Sequence, residues 1–513
     1  MKEDYITDVE YTGEFFEHMS PAWMAYIAAI NGYAAPALDG KFTWCDLGCG
    51  KGVTSLLLAG MYPQGDFHAC DFNAEHISYA DKLRSSAGVG NVRFHAKTFG
   101  QMLEVDLPDF DFITLHGVYS WVPDSARAEI HEFLRRKLKP GGLAMVSYNA
   151  MPGWAHLQPL RQIMRIHADS LLGGNSLDKA KAAYGFVEFL SKNGAAYFST
   201  LPAAAAHVKE MAAQDIRYVV HEYITPFGDP FYFSEIEPVM RSLGLAFAGN
   251  MRPSDNYVDT MAPQQFRQVL EGTASRTVLE TWRDFIVNTR FRMDLYASQP
   301  AHARAGTATL DRFHGMLFTL TALPERLPIK STDEELRFNL ENQAVAVRKV
   351  HECLIKAPAS AETIRAVLGC SAQEASTFIQ HMVVTRHIAP CPPASTRSGW
   401  MPLNSALIDA GINEQAAQVQ LACPATGSVI YNDAVQAASI EAAARFPDAQ
   451  TAASNVLARF RSGGHPLNRQ TAQGVKRPAT DEEVSAYVQA TWTALHDRND
   501  PNARMLRMLG VLA

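Results

Sequence analysis

The chain of 513 residues has no uninterrupted apolar segment long enough to span a bilayer, and its acidic N-terminus has no apolar core of the kind found in secretory signals. It also lacks an excess of positive charge, since its formal net charge is −7. Nucleic-acid binding requires clustered lysine and arginine, so this balance disfavours a DNA or RNA substrate. We therefore predict a cytoplasmic protein that binds neither membranes nor nucleic acids.

Cysteine is scarce, and its spacing gives no metal site. The seven cysteines lie at positions 45, 49, 70, 353, 370, 391 and 423. Cys45 and Cys49 have no second pair at the spacing of a zinc site. We therefore predict reduced, packed thiols and no bound metal.

The most informative motif is a glycine-rich turn at Trp44–Gly52, which reads Trp-Cys-Asp-Leu-Gly-Cys-Gly-Lys-Gly. The apolar run Phe42–Leu47 predicts a buried parallel strand before this turn, and a helix-like run starts at Val53. Glycines let such a turn fold tightly and approach a ligand closely. Asp71 ends the next apolar strand, where a carboxylate can hold two vicinal ribose hydroxyls.

The glycine spacing distinguishes between two ligand classes that use this arrangement. Dinucleotide enzymes prefer G-x-G-x-x-G, whereas this chain has G-x-G-x-G and places Val53 at the expected third glycine. The text Asp-Leu-Gly-Cys-Gly-Lys-Gly resembles the first motif of class I S-adenosylmethionine (SAM) methyltransferases. The spacing therefore favours a SAM site over a nicotinamide site.

Alternating strands and helices in the first 150 residues predict a doubly wound, mostly parallel α/β sheet of the Rossmann-like kind. The predicted strands are Thr43–Leu47, Phe67–Cys70, Val92–Ala96, Phe110–His116 and Gly142–Tyr148. The predicted helices are Val53–Met61, Ala74–Ala87 and Ser125–Leu138. Right-handed crossovers place the carboxyl ends of all these strands along one crevice, which is the predicted site.

A helical insertion or regulatory segment is predicted at about residues 155–235, over the crevice. After it, we predict a helix at Ser234–Leu243 and strands at Leu245–Met251 and Phe291–Tyr296, which would close the same sheet. The methyltransferase domain is therefore expected to extend over residues 1–300.

The C-terminal part is predicted to be mainly α-helical, with a winged-helix-like domain at 301–402 and a helical region at 403–513. The winged-helix pattern consists of helices Gln343–Leu354, Ser360–Leu368 and Ser371–Thr385, followed by the extended residues 387–389. The third helix has almost no lysine or arginine, so it is unsuited to reading DNA. We predict a structural or protein-contact role, which includes a homodimer through the C-terminal domains.

Polar aromatic residues follow the fourth predicted strand, at the mouth of the crevice. His116, Tyr119 and Trp121 lie within six residues, and either aromatic ring would stabilise a sulfonium cation by about 0.5–2 kcal/mol. Far along the chain, His221 and Glu222 are adjacent and lie between apolar residues, where they form either a solvated helix turn or an acid or base of the site. These five residues are the predicted catalytic candidates.

Three segments together carry a resemblance to a known family. They read His-Gly-Val-Tyr-Ser-Trp-Val at 116–122, Ser-Tyr-Asn-x-x-Pro-Gly-Trp at 147–154 and His-Glu-Tyr at 221–223. They resemble bacterial SAM-dependent methyltransferases with a methyltransferase regulatory domain, a group that includes rickettsial protein-lysine methyltransferases of outer-membrane proteins. The resemblance covers roughly residues 5–300, and Tyr11–Phe16 resembles the family's opening segment near the cofactor.

The resemblance implies S-adenosyl-L-methionine as the cofactor and methyl transfer as the reaction. The predicted cofactor-binding residues are Tyr11, Asp46, Gly48, Cys49, Gly50, Gly52, Asp71, Phe72, Thr98, Phe99, His116 and Gly117. After the third strand, many class I enzymes place an acid that bonds the adenine amino group, but here the text is Lys-Thr-Phe. We predict that Thr98 or a backbone group replaces that acid and that Phe99 stacks on the ring.

The methyl acceptor stays open at this point. A protein lysine amine is one class of acceptor, and an O- or N-methylated saccharide or small molecule of a surface-polysaccharide pathway is the alternative. A non-catalytic SAM-binding regulatory partner is a further alternative. A sugar hydroxyl requires a positioned base more strongly than an amine does, and His116, His221 and Glu222 are the candidates for it.

Overall fold

The computed structural model describes residues 13–298, 310–313, 315–327, 343–393, 400–463, 468–470 and 476–512. Its largest sheet consists of β1 (Phe42–Leu47), β2 (Gly65–Asp71), β3 (Val92–Ala96), β4 (Phe110–Leu115), β5 (Leu138–Asn149), β6 (Ala246–Asn250) and β7 (Phe291–Ala297). The strand order is β3-β2-β1-β4-β5-β7-β6. Strands β1 to β5 are parallel, and β7 is antiparallel to both β5 and β6. The predicted doubly wound sheet and its two closing strands are confirmed.

The helices of the N-terminal half cover both faces of this sheet. They are α1 (Pro21–Ile30), α2 (Val53–Met61), α3 (Ala74–Ala87), α4 (Phe99–Met102) and α5 (Asp124–Lys137). The predicted bounds of α2 and α3 are confirmed at both ends. Helix α3 begins after Asn73, whose side chain accepts a hydrogen bond from the N–H of Glu75, and it ends at Gly88 with φ of 67°. These are the favoured residues for the two ends of a helix.

The stretch between β5 and β6 is helical, as predicted. It contains α6 (Gln158–Ser170), α7 (Ser176–Lys192), α8 (Ala196–Thr200), α9 (Pro202–Met211), α10 (Ile216–Val219), a π-helical turn (Val220–Ile224) and α11 (Phe233–Ser242). Between β6 and β7 lie α12 (Val258–Met261), α13 (Arg267–Glu271) and α14 (Arg276–Val287). Helices α6 to α10 share an apolar core with Trp121 and Trp154, so the insertion packs directly onto the mouth of the crevice.

The C-terminal part is mainly helical. Its helices are α15 (Ala344–Leu354), α16 (Ala361–Leu368), α17 (Ala372–Val384), α18 (Trp400–Asn413), α19 (Ala434–Arg445), α20 (Ala449–Ser462), α21 (Asp481–His496) and α22 (Pro501–Met508). Its strands are β8 (Leu317–Leu320), β9 (Ala359–Ser360), β10 (Ile388–Cys391), β11 (Val419–Cys423), β12 (Ser428–Asn432), β13 (Asn468–Gln470) and β14 (Lys476–Pro478). No helix among the described residues of the whole chain is long and apolar enough to cross a membrane.

The three helices predicted for a winged-helix-like unit are present as α15, α16 and α17. The associated sheet has the order β10-β8-β9, and its central strand β8 precedes all three helices in the chain. The winged-helix assignment and the domain boundaries at 300 and 402 stay predictions.

The C-terminal part contacts the glycine-rich turn. Lys51 pairs with Glu414 at 3.6 Å, and its ammonium also lies over the Tyr79 ring at 4.7 Å. The side-chain amide of Gln420 donates to the carbonyl oxygen of Gly13 (3.0 Å). The C-terminal helices and strands are therefore joined to both the turn and the first described residues.

A buried ion network fastens β7 to α14. The fully buried Arg292 donates to both carboxylate oxygens of Asp284 (2.8 Å each) and to Glu280 (2.9 Å) and Asp294 (3.0 Å). The Tyr148 hydroxyl of β5 donates to Asp294 (2.6 Å). Charges in a dry interior are tolerated only when they are paired, so each member of this network depends on the others.

Replacing Arg292 by methionine should destabilise the fold strongly. Arg292→Met leaves three buried carboxylates short of one positive charge, and we expect the free energy of unfolding to fall by about 3–5 kcal/mol. Chemical denaturation followed by tryptophan fluorescence measures this change. The control is Arg241→Met, because Arg241 is 66% exposed in its pair with Glu237 and should lose less than about 1 kcal/mol. Equal losses in the two variants would contradict a structural role for the network.

Candidate active site

A cavity of about 530 Å³ opens at the carboxyl ends of the parallel strands. One half is lined by the segments that follow β1 to β4, and by residues of the opening segment from Gly13 to Met19. The other half is lined by Trp121, Asn149, Trp154, Tyr218, His221, Glu222, Phe227 and Arg290. We call these the cofactor half and the acceptor half. The crevice predicted from the strand alternation is thus a real cavity.

The glycine turn adopts a backbone conformation that is unfavourable for residues with a side chain. Gly48 and Gly52 have φ of 87° and 70°, in the left-handed region. A Cβ on Gly48 would lie 2.5 Å from a methyl group of Val118, and one on Gly52 would lie 2.5 Å from the Phe94 ring. A Cβ on Gly50 would meet no atom within 4 Å. Two glycines are therefore required by packing, and the middle one leaves open space in front of the turn.

Asp71 is fastened to the glycine turn. Its Oδ2 accepts a hydrogen bond from the N–H of Gly50 (3.0 Å), and its Oδ1 accepts one from the N–H of Asn73 (2.8 Å). Nδ1 of His76 lies 3.6 Å from the same Oδ1. The carboxylate thus lines the cavity in a fixed position, with Phe72 beside it. The bond to Gly50 was not predicted from the sequence.

Asp46 lies beneath the turn and is almost fully buried. The hydroxyl groups of Ser55 (2.9 Å) and Thr114 (3.3 Å) donate to its carboxylate. Burial raises the pKa of Asp46 to about 7, against the effect of these two donors. Cys49 follows in the turn and, like the other six cysteines, all of which lie in the described part of the chain, forms no disulfide.

The opening segment covers the cofactor half. The N–H of Phe16 donates to the Thr54 hydroxyl (3.1 Å), which in turn donates to the carbonyl oxygen of Glu14 (2.8 Å). The Phe16 ring lies 4.1 Å from the ring of His116. Tyr11, also predicted for the cofactor, lies outside the described residues.

Thr98 and Phe99 both line the cavity after β3. Thr98 caps helix α4, because its hydroxyl accepts from the N–H of Gln101 (3.3 Å), while the Gln101 side chain accepts from the N–H of Thr98 (3.1 Å). The capping bond occupies an acceptor site of this hydroxyl and leaves its hydrogen free to donate. The roles predicted for Thr98 and Phe99 at the adenine ring stay proposals.

His116 lines the cavity but is unsuited to act as a base. It packs between the rings of Phe16 and Phe291 (4.1 and 5.7 Å), and its Nδ1 is buried with no partner among the described residues. Burial lowers the pKa of His116 to about 3, so the ring is neutral at pH 7 and binds a proton only weakly. This speaks against His116 as the predicted general base.

Tyr119 does not reach the cavity. Its hydroxyl points to Nε2 of His131 on α5 (2.9 Å), and burial raises its pKa to about 12. The predicted acceptor-side role of Tyr119 therefore has no support in its position. Its neighbour Trp121 does line the cavity and packs edge-on against Trp154, with ring centroids 6.2 Å apart.

His221 and Glu222 both line the acceptor half, on the π-helical turn after α10. Such turns are rare and frequently occur at functional sites. Withdrawal from bulk water raises the pKa of Glu222 to about 8, although the nearby cations Arg161 and Arg290 oppose this shift. Glu222 therefore exchanges its proton at neutral to mildly alkaline pH, the range in which a general base is useful.

Sequence reasoning missed Tyr218, Phe227 and Arg290 in the acceptor half. Tyr218 lies one turn before Glu222, and burial strongly raises the pKa of its hydroxyl. Arg290 precedes β7, more than sixty residues further along the chain. A sequence pattern gives no sign that these positions face one cavity, because only the tertiary fold brings them together.

The cofactor half fits an adenosyl sulfonium ligand. The volume of the whole cavity is in the range of small-molecule sites, and the space in front of Gly50 admits close approach of a ligand to the backbone. Asp71 offers carboxylate oxygens to hydroxyl groups, and the rings of Phe72 and Phe99 offer apolar faces to a base. The described residues predicted for the cofactor all line this one cavity.

Two family models match the chain. A methyltransferase domain matches residues 38–194, and a predicted methyltransferase regulatory domain matches residues 215–298. The first covers β1 to β5 and the start of the insertion, and the second begins just before the π-helical turn and ends with β7.

The chain is also similar to two relatives and to a solved structure. An uncharacterised protein of Synechocystis is 34% identical over 69% of this chain and 70% of its own length. An uncharacterised protein of Rickettsia prowazekii is 28% identical over 56% of this chain and 51% of its own. The structure of PKMT2 from Rickettsia typhi in complex with AdoHcy has the same fold, with a TM-score of 0.68 at 21% identity, over 94% of this chain and 98% of that one. The chain belongs to the SAM-dependent methyltransferases that carry a predicted methyltransferase regulatory domain, and S-adenosylmethionine is its cofactor.

Proposed function

We propose that this enzyme methylates an amine, and that the amine is a lysine side chain of a protein. The observation that carries the proposal is Glu222, a carboxyl group withdrawn from bulk water in a cavity whose wall also holds Trp121, Trp154 and Tyr218. Aromatic faces attract an ammonium group, and a carboxylate pairs with it. The resemblance to rickettsial protein-lysine methyltransferases supports the same acceptor.

In this proposal the cofactor half holds S-adenosylmethionine, which supplies a methyl group activated by its sulfonium. Asp71 accepts from the ribose hydroxyls, and the turn at Gly48–Gly52 lies along the methionine part. The N–H of Gly117 donates to the Ser147 hydroxyl (2.8 Å), and backbone groups at residues 116 and 117 contact the amino acid end. These residues orient the cofactor and exclude water from it.

Glu222 lowers the cost of deprotonating the amine. A lysine with a pKa of about 10.4 needs roughly 4–5 kcal/mol to lose its proton at pH 7 in water. Inside the cavity, desolvation lowers the pKa of an ammonium and has raised that of Glu222 to about 8. Both shifts reduce the difference between the two affinities for the proton, so transfer from the ammonium to the Glu222 carboxylate costs less free energy than it does between the same groups in water. The transfer leaves a neutral amine facing the cofactor half.

Asp71→Ala should weaken binding of S-adenosylmethionine about 10–100-fold, because the loss of charge-assisted hydrogen bonds costs about 1.5–3 kcal/mol. The variant also frees the N–H of Gly50, which loosens the glycine turn. Isothermal titration calorimetry measures the affinity, and circular dichroism checks the fold. The matched control is Asp66→Ala at the opposite end of β2, where the carboxylate pairs with the exposed Arg93. An unchanged affinity in Asp71→Ala would refute the ribose assignment.

The pH dependence of methyl transfer should follow Glu222. Its pKa is raised to about 8, so the carboxylate is the minor form at pH 7 and the major form above pH 8. Transfer should therefore rise with pH, reach half of its maximum near pH 8 and level about one pH unit higher. In Glu222→Gln, the increase in rate should shift to higher pH, toward the pKa of the amine itself. The rate at pH 7 should be about a hundredfold lower than that of the unchanged enzyme.

The control for this experiment is Glu210→Gln, because Glu210 lies on α9 of the same insertion and is 62% exposed. Its pH profile should match that of the unchanged enzyme. If Glu222→Gln keeps the original rate and profile, Glu222 is not the proton acceptor.

Mass spectrometry identifies the acceptor directly. The enzyme is incubated with S-adenosylmethionine carrying a deuterated methyl group and a bacterial cell extract, and peptides, glycans and metabolites are analysed together. We expect labelled methyl-lysine in peptides, and much less of it with the Asp71→Ala variant at the same limiting concentration of S-adenosylmethionine. Label confined to glycans or metabolites would overturn the protein-lysine proposal. Absence of any label would favour a non-catalytic role.

A further inference from the structure

Arg161 of α6 lies behind the π-helical turn that carries Glu222. Its side chain is almost fully buried, and its guanidinium donates to the backbone carbonyl oxygens of Glu222 (3.1 Å), Thr225 (2.5 Å) and Phe227. A guanidinium that donates to three carbonyl groups of one short segment fixes the path of that segment. Arg161 therefore ties the end of the turn to a helix of the insertion.

The packing around Arg161 leaves little room for movement. A Cβ on Gly228 would lie 2.7 Å from Nε of Arg161, so a residue with a side chain would not fit there without displacing the guanidinium. On its other side the guanidinium lies over the ring of Trp121, at 5.8 Å from the ring centroid. Arg161 thus contacts both the segment after Glu222 and the aromatic wall of the acceptor half.

A second buried arginine holds the facing segment. Arg127 of α5 donates to the carbonyl oxygen of Val122 (2.7 Å) and to the carboxylate of Asp229 (3.0 Å). The N–H of Asp229 in turn donates to the carbonyl oxygen of Ser120 (2.9 Å). Arg127 and Arg161 therefore fix the position of the loop with Trp121 relative to the segment after Glu222.

The charge of Arg161 is maintained although the residue is buried. Burial lowers its pKa to about 10, which leaves the guanidinium cationic at neutral pH. The carbonyl oxygens compensate for part of the lost hydration. The same positive charge opposes the upward shift of the pKa of Glu222. Arg161 therefore acts on Glu222 both through the backbone and through its field.

We propose that Arg161 is a positioning residue that holds Glu222 in the acceptor half. This inference rests on the proposed function, because it assumes that Glu222 serves the transfer step. Arg161 donates to the backbone of Glu222 and does not itself line the cavity. Its loss should therefore impair transfer and leave the cofactor half intact.

The test compares Arg161→Met and Arg161→Lys with the control Arg165→Met, one turn further along α6. Methyl incorporation into the same cell extract is measured at increasing concentrations of S-adenosylmethionine. We expect Arg161→Met to lower the maximal rate at least tenfold with an unchanged KM for S-adenosylmethionine. Arg161→Lys keeps the charge but reaches fewer carbonyl groups, so it should recover part of the rate. The control should retain the full rate.

Hydrogen exchange of the backbone amides, followed by mass spectrometry, tests the positioning without any acceptor. Exchange in residues 219–228 should become faster in both Arg161 variants and stay unchanged in the control. Unchanged exchange in that segment would overturn the inference, as would a maximal rate that stays unaltered in a folded Arg161 variant. If the unchanged enzyme labels no protein, the proposed function fails, and the exchange measurement still decides whether Arg161 holds the turn.

Discussion

The cofactor half depends on one constraint, which is the left-handed glycine turn held by Asp71. Gly48 and Gly52 adopt positive φ angles at places where a Cβ would collide with Val118 or Phe94. The hydrogen bond from Gly50 to Asp71 joins this turn to the end of β2. The ends of two neighbouring strands are therefore joined, and a Cβ on Gly50 would meet no atom within 4 Å, so the space in front of this joined pair is open.

The acceptor half is assembled differently, from segments far apart in the chain. Trp121 follows β4, Asn149 ends β5, Glu222 lies after the helical insertion and Arg290 precedes β7. Buried Arg127 and Arg161 hold the loop with Trp121 and the segment after Glu222, because each guanidinium satisfies several carbonyl or carboxylate oxygens at once. The same burial withdraws Glu222 from water and raises its pKa. The packing that places Glu222 in the cavity therefore also raises its pKa.

The C-terminal part is tied to the cofactor half by contacts at two of its elements. Glu414 meets Lys51 inside the glycine motif, and Gln420 holds the backbone of Gly13 in the opening segment. The opening segment also covers His116 through Phe16. A displacement of β11 or of the end of α18 would therefore move Lys51 or the opening segment, both of which line the cavity.

The sequence by itself determined the sheet, its crevice and the glycine turn, because alternating apolar runs, helix-end residues and glycines act over short distances. Local motifs in the sequence also singled out Glu222 and Trp121, and the structure places both residues in one cavity. Only the tertiary structure decided that Tyr119 turns away to His131, that burial keeps His116 neutral, and that Tyr218 and Arg290 join the site. Side-chain direction and desolvation depend on neighbours distant in the chain, and no local pattern encodes those neighbours.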